Sequence, residues 1–403
     1  MPFSSEEALR LEAAEAFDSL MEKSRLFQGG PAKTIPRFTP AECQPGPQLG
    51  VGGFSIVYEI ENFQIRSHQQ LSMGFGGEVE DEEIEQREYM SRSTTKDGQA
   101  RYAIKTLKNA TLKKANSPNS DVQQQFVSGV YDLAMEVKFL SVLSHPHIIK
   151  MRGMASLHPC SDSFFLVLDR LYDTLQERVA KWNKMQKRQR RLSGILDAKG
   201  TKKERFFVER ICVAHEICSA LNYLHVNRIV YRDLKPDNIG FDVRDEVKLF
   251  DFGLAREIDL GNYDKTNASN EYLFRMSEAG SMRWMAPEVA ACQPYNKKVD
   301  IYSFGLILWY ICTLELPYKE FDYGDFQENV FEKEVRPKLD KKLWSDKLSN
   351  LVTRCWSTSI PERPECSDIL QVLKNEINNF DSNLTEALDI SNQTEKSMNG
   401  ENS

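Results

Sequence analysis

Polar and apolar positions change rhythm several times along the chain. From Glu6 to Phe27 the composition is helix-forming, and Leu9, Ala13, Ala16, Phe17 and Leu20 recur near helical spacing, which predicts a short helix. Five prolines between Pro31 and Pro47 follow, and they predict an extended, poorly ordered linker. The stretch LGVGGFSIVY, Leu49 to Tyr58, runs from a glycine cluster into alternating apolar residues, Ile56 and Tyr58. In RYAIKTLK, Lys105 interrupts Tyr102, Ile104 and Leu107 with the alternation of a strand. YDLAMEVKFLSVLSHPHIIK places Leu133, Val137, Leu140 and Leu143 on one helical face, ended by Pro146, with Glu136 beside the stripe. The most apolar run, Ile301 to Leu314, has 14 residues. That is short of the roughly 20 needed to span a bilayer, and a buried core helix is expected. Beyond Phe380 the tail is rich in Asn, Ser, Thr and Glu, with too little apolar surface to offset its ordering entropy.

Composition adds limits. A chain of 403 residues, 41% of them hydrophobic, can fill one large domain or two lobes. The net charge of -7 gives no field that would draw it onto nucleic acid or anionic lipid, so neither partner is expected. Eight cysteines lie scattered without a CxxC pair, and the acidic N-terminus lacks an uninterrupted apolar stretch. Both suit a reducing intracellular compartment, with the cytoplasm expected. Cys212, His215 and Cys218 sit in an apolar helical pattern without an obvious fourth ligand, which reads as core packing. Charge is concentrated locally: seven acids against one Arg in Glu78–Glu88, and ten bases against two acids in Lys181–Arg205. Both are expected as surface insertions, about 66–99 and 181–205, serving as solvated faces or as docking points for partners.

The stretch IVYRDLKPDNIGFD sets Arg232, Asp233, Lys235, Asp237 and Asp242 among apolar Ile229, Val230, Ile239 and Phe241. VKLFDFGLA places Asp251 after a strand-like run, with Gly253 turning the chain. Taken singly, each motif is weak. A glycine cluster is as readily a hairpin turn, a strand lysine usually faces solvent, and D-x-G is a turn. The glycines are followed by neither Gly-Lys-Ser/Thr nor a helix, which excludes a Walker loop and a dinucleotide fingerprint.

In this order, however, the motifs resemble the eukaryotic protein kinase family, from about Gln48 to Ile377. The resemblance implies an α+β, bilobal protein kinase fold: a small antiparallel β lobe with one αC helix, and a larger, mainly α-helical lobe. Residues 45–377 would form this domain, with a helix and Pro-rich linker over 1–44 and a disordered polar tail over 378–403. The cofactors implied are ATP and Mg²⁺, and the partners are protein substrates. Leu49, Gly50, Val51, Gly52, Gly53 and Val57 match the phosphate loop, and Ala103 and Lys105 match the strand whose lysine grips the α and β phosphates. Glu136 matches the partner of Lys105, and Asp169 to Leu171 the adenine-binding hinge after gatekeeper Leu168. Asp233 matches the residue that orients the attacking hydroxyl and accepts its proton, Lys235 the neighbour of the γ-phosphate, and Asn238 and Asp251 the Mg²⁺ ligands. Glu288 of APE is matched with Arg363 of PERP. Arg232 resembles the arginine that pairs with an activation-loop phosphate; Ser277 is the first choice for that phosphate, and Glu278 a permanent negative charge in its place.

Lys235, together with GSMRWMAPE from Gly280, resembles serine/threonine kinases of the tyrosine-kinase-like group, with Ser281 against Asp233 and Lys235 and dual specificity left open. The competing reading is a pseudokinase scaffold, against which stand the intact Lys105, Asp233 and Asp251. Three positions depart from the pattern: Ser55 replaces a loop glycine, Tyr231 the usual His, and Gly240 the Leu expected beneath adenine, which would enlarge that floor.

Overall fold

The computed structural model describes residues 5–28, 34–65, 81–108, 120–161, 163–196, 201–259, 263, 265–266, 272–277, 279–339 and 344–379. The chain divides into two units, Met1–Tyr172 with Phe241–Glu257, and Asp173–Gly240 with Ile258–Ser403.

The first unit is built on a six-stranded sheet of β1 (Arg37–Phe38), β2 (Cys43–Val51), β3 (Ser55–Phe63), β4 (Tyr102–Leu107), β5 (Met151–Ala155) and β6 (Phe165–Asp169), in the order β1-β5-β6-β4-β3-β2. Only β1 pairs in parallel, with β5; the other pairs are antiparallel. Helices α1 (Ser5–Lys23), α2 (Arg25–Gln28), α3 (Asp81–Arg92) and α4 (Ser120–Val142) complete it. The apolar stripe of α4, including Val130, Leu133, Val137 and Leu140, is buried. Helix α4 also packs against α1, whose Ala13 and Phe17 are buried too.

In its described part, residues 34–47, the Pro-rich segment is not a linker. Arg37–Phe38 and Cys43–Pro47 lie in β1 and β2, and Met154 N–H donates to Pro36 O at 3.0 Å and Ser156 N–H to Phe38 O at 2.9 Å; residues 31–33 lie outside the described residues. Pro45 and Pro47 are accommodated because β2 is an edge of the sheet, where a missing N–H breaks no ladder, and Pro40 opens a 3-10 turn between β1 and β2. The acidic run also departs from a purely solvated face. Arg87 and Glu42 form an ion pair at 2.6 Å with both side chains 1% exposed, and Arg87 lies 5.2 Å over the Phe38 ring. Glu83 is buried against Arg37 at 3.0 Å. Helix α3 therefore anchors the segment that composition alone leaves loose.

The second unit is mainly helical: α5 (Leu175–Leu196), α6 (Thr201–Val226), α7 (Lys298–Thr313), α8 (Asp346–Cys355) and a helix over 366–379. Every residue of α7 from Lys298 to Cys312 is buried, which is why its sequence has no polar face. Buried Arg210 of α6 donates to Ile311 O and Cys312 O, both at 3.1 Å, and so satisfies carbonyls left open at the end of α7. The basic run is carried mostly by the ends of α5 and α6, where buried Trp182 and Phe206 meet edge to face at 6.4 Å. Among the described residues, no helix is long and apolar enough to cross a membrane. Residues 380–403 of the polar tail lie outside the described residues.

Candidate active site

In the first unit, β2 and β3 form a hairpin whose turn is closed by a hydrogen bond from Gly52 N–H to Ser55 O at 2.9 Å, leaving Gly52 and Gly53 exposed. Val57 of this hairpin is in register with Lys105 of β4, so the glycine turn and the lysine lie on neighbouring strands. Strand β4 is buried almost throughout, and the Lys105 ammonium is drawn into it by two carboxylates. Nζ donates to Glu136 Oε2 of α4 at 2.5 Å and to Asp251 Oδ1 at 3.0 Å. Burial alone would lower the Lys105 pKa; the Asp251 and Glu136 charges overcome this and raise it, so the side chain is a fixed cation. The Asp251 side chain keeps 43% of its surface exposed, offering a hard oxygen to a divalent cation. Its backbone sits in the left-handed region with φ 66°, a strained conformation for a non-glycine residue. The Asp169 carboxylate is held by Arg152 at 2.7 and 2.9 Å, and Arg170 N–H by Arg101 O.

In the second unit the chain from Tyr231 to Asn238 wraps around the Asp233 carboxylate. Lys235 Nζ donates to Oδ2 at 2.6 Å, Asn238 Nδ2 to the same oxygen at 2.8 Å, and Ser281 Oγ to Oδ1 at 3.2 Å. Lys235 also donates to Ser281 Oγ at 3.0 Å. Asn238 Nδ2 donates as well to Asp233 O at 3.0 Å, so its carbonyl Oδ1 is the atom a cation could take. Arg232, with φ 71°, donates through Nη2 to Ser277 O at 2.8 Å and Ser277 Oγ at 2.9 Å. Glu278 lies outside the described residues. Arg363 and Glu288 form a buried bidentate pair at 2.5 and 2.9 Å.

Residues 90–373 match the family described as Protein kinase domain. The chain belongs to the protein kinase family. Its relatives include the serine/threonine-protein kinase STY46 of Arabidopsis thaliana, 30% identical over 68% of this chain and 39% of its own length. Mitogen-activated protein kinase kinase kinase 13-B of Xenopus laevis is 32% identical over 59% of this chain and 21% of its own. The dual specificity protein kinase shkD of Dictyostelium discoideum is 33% identical over 58% and 28%. The chain thus matches less than half the length of each of these relatives. With the family established, the sheet-bearing and helical units belong to the α+β, bilobal kinase fold, a family that uses ATP and a divalent metal. The family match begins at residue 90, after the glycine turn; what ties Leu49–Val57 to the site is the register with Lys105.

DIYSFG from Asp300 resembles the start of the family's central helix in the larger lobe, but the partners of Asp300 are not visible in that stretch. Asp300, at the start of α7, accepts from Tyr231 N–H at 2.9 Å and Arg232 N–H at 2.8 Å, and its Oδ2 lies 2.9 Å from His225 Nε2. Cys366 Sγ lies 3.4 Å from the other ring nitrogen. Burial works against a charged His225, but Cys366 and Asp300 outweigh it and raise its pKa to about 9. The loop that carries Asp233 is therefore anchored on a buried carboxylate almost seventy positions away.

Proposed function

We propose that this chain is a protein serine/threonine kinase that transfers the γ-phosphate of ATP to hydroxyls of protein substrates. The observation that carries the reading is Asp233, a buried carboxylate oriented by Lys235, Asn238 and Ser281 together. A carboxylate so fixed aligns an incoming hydroxyl and accepts its proton as the O–P bond forms. Lys235 offsets charge on the transferring group, and Lys105, clamped by Glu136 and Asp251, grips the α and β phosphates of ATP. The exposed β2–β3 turn offers backbone N–H groups to phosphate, and the hinge at Asp169–Leu171 would receive adenine through backbone groups, since the Asp169 side chain is committed to Arg152. By resemblance to the family, Asp251 of the first unit and Asn238 of the second are the positions whose side-chain oxygens suit Mg²⁺, which would supply charge neutralisation to the phosphates.

The contact of Ser281 with Lys235 and Asp233 supports the serine/threonine assignment, as do the names of the relatives. Ser277, already bonded to Arg232, is the proposed regulatory phosphosite. The test is transfer from γ-labelled ATP to a degenerate peptide library, followed by phosphoamino-acid analysis. Label on phosphoserine and phosphothreonine is expected; label on phosphotyrosine alone would overturn the assignment.

A further inference from the structure

Glu257, six residues after Asp251, has no role in the site described above. Within the first unit its carboxylate is taken by the junction of α1 and α2: Ser24 Oγ donates to Oε2, and Leu26 N–H to Oε1 at 3.3 Å. Ser24 is itself buried. Helix α1 is firmly seated on α4, the helix that carries Glu136. Ala13 and Phe17 are 0% and 2% exposed, and Lys138 Nζ of α4 lies 5.7 Å over the Phe17 ring. Arg10 lies 5.0 Å over the Phe126 ring of α4 and donates to Cys160 O at 2.9 Å.

One turn before Glu136, α4 also meets the chain that follows Asp251. Arg256 lies 5.4 Å over the Tyr131 ring, and a Cβ at Gly253 would come 2.9 Å from the Asp132 Cβ, so the chain passes close against the helix there. The segment from Asp251 to Glu257 is thus fastened twice, by Arg256 to α4 and by Glu257 to the α1–α2 junction, while α1 bears on α4. Glu136 and Asp251, the two carboxylates on Lys105, lie at the ends of these two connections.

We propose that Glu257 is a positioning residue for phosphoryl transfer, with α1 and α2 acting as a clamp in the same chain that holds Glu136 and Asp251 on Lys105. This rests on the assignment of Lys105 as the phosphate grip. No side chain of the clamp touches the reacting atoms; it narrows the set of arrangements Lys105 and its partners can adopt, and misplacement of such groups slows transfer without abolishing binding.

The test uses the full chain with Ser24→Ala, Glu257→Ala, their double variant and Ala13→Asp, the last disrupting the seat of α1. Turnover, KM for a peptide substrate, melting temperature and amide exchange over residues 120–142 are measured, with Lys105→Met as a reference. Glu257→Ala is expected to lower kcat roughly tenfold with peptide KM unchanged. The double variant should lose no more than Glu257→Ala alone, because the two side chains share one contact. Ala13→Asp should lower kcat and speed exchange along α4. Wild-type kcat in Glu257→Ala, beside an inactive Lys105→Met, overturns the clamp and leaves the site reading intact. A kcat loss that tracks only the unfolded fraction also overturns it. An active Lys105→Met overturns the site reading, and the clamp with it.

Discussion

Lys105 shows how little of a charged residue's role is visible in its own neighbourhood. Alternation places it on a strand, where a lysine ordinarily faces solvent, yet it is buried and held by Glu136 and Asp251, 31 and 146 positions away. In the roles proposed for them, phosphate grip and metal ligand, Lys105→Met and Asp251→Asn should each reduce transfer by about a thousandfold or more while the melting curve stays cooperative. Full activity in either folded variant would remove the assignment. Asp132 carries a different prediction. Burial raises its pKa to about 7, with Arg256 opposing and Asp251 adding to the shift, and Lys105 and Glu136 also facing it. A carboxyl whose folded pKa lies above its unfolded value favours the folded state at low pH, and that contribution is lost as pH rises through about 7. Asp132→Asn should therefore gain stability relative to wild type between about pH 4 and 7, by at most about 1.4 kcal/mol per pH unit. Denaturant unfolding of both proteins across that range checks it; a pH-independent difference means Asp132 stays ionised when folded.

At the scale of elements, the glycine turn and α4 are coupled through one contact. A Cβ at Gly129 of α4 would lie 2.8 Å from the Cβ of Phe54, the residue between the exposed glycines and β3. By helix propensity alone Gly129→Ala should stabilise α4 by about 1 kcal/mol. The overlap instead should push Phe54 and its turn aside, raising KM for ATP severalfold, and Phe54→Ala in the same chain should restore it. Unchanged KM in Gly129→Ala would show that the turn moves independently of α4. In the activation segment, Arg232 already meets the Ser277 hydroxyl, so a phosphate there would add charge at an existing contact. Active enzyme should carry phosphate at Ser277, and Ser277→Ala should lower turnover about tenfold or more; undiminished activity with an unmodified loop excludes the switch.

Elements with strong period were legible from sequence: α4 from its apolar stripe, β4 from alternation, and α7 from its continuous hydrophobicity. The Pro-rich stretch misled because proline marks a break locally, whereas at a sheet edge its missing N–H breaks no ladder. The burial of Arg87 was equally hidden, since Glu42 lies 45 positions away and nothing between them signals the pair.

For the whole molecule, the site was more legible than the framework around it. Asp233, Lys235, Asn238 and Asp251 stand out in the sequence by residue type and order, while their surroundings, His225 in one unit and Asp132 and Glu257 in the other, look like ordinary helix or loop positions until packing brings them into contact. Asp233 is the residue on which the kinase assignment rests most directly. Its most direct test is the rate of label transfer from γ-labelled ATP to a serine/threonine peptide, compared between wild type and Asp233→Asn of matching melting temperature. Transfer by wild type and a rate lower by about a thousandfold or more in the variant are expected; equal rates in the two proteins would contradict the role of Asp233.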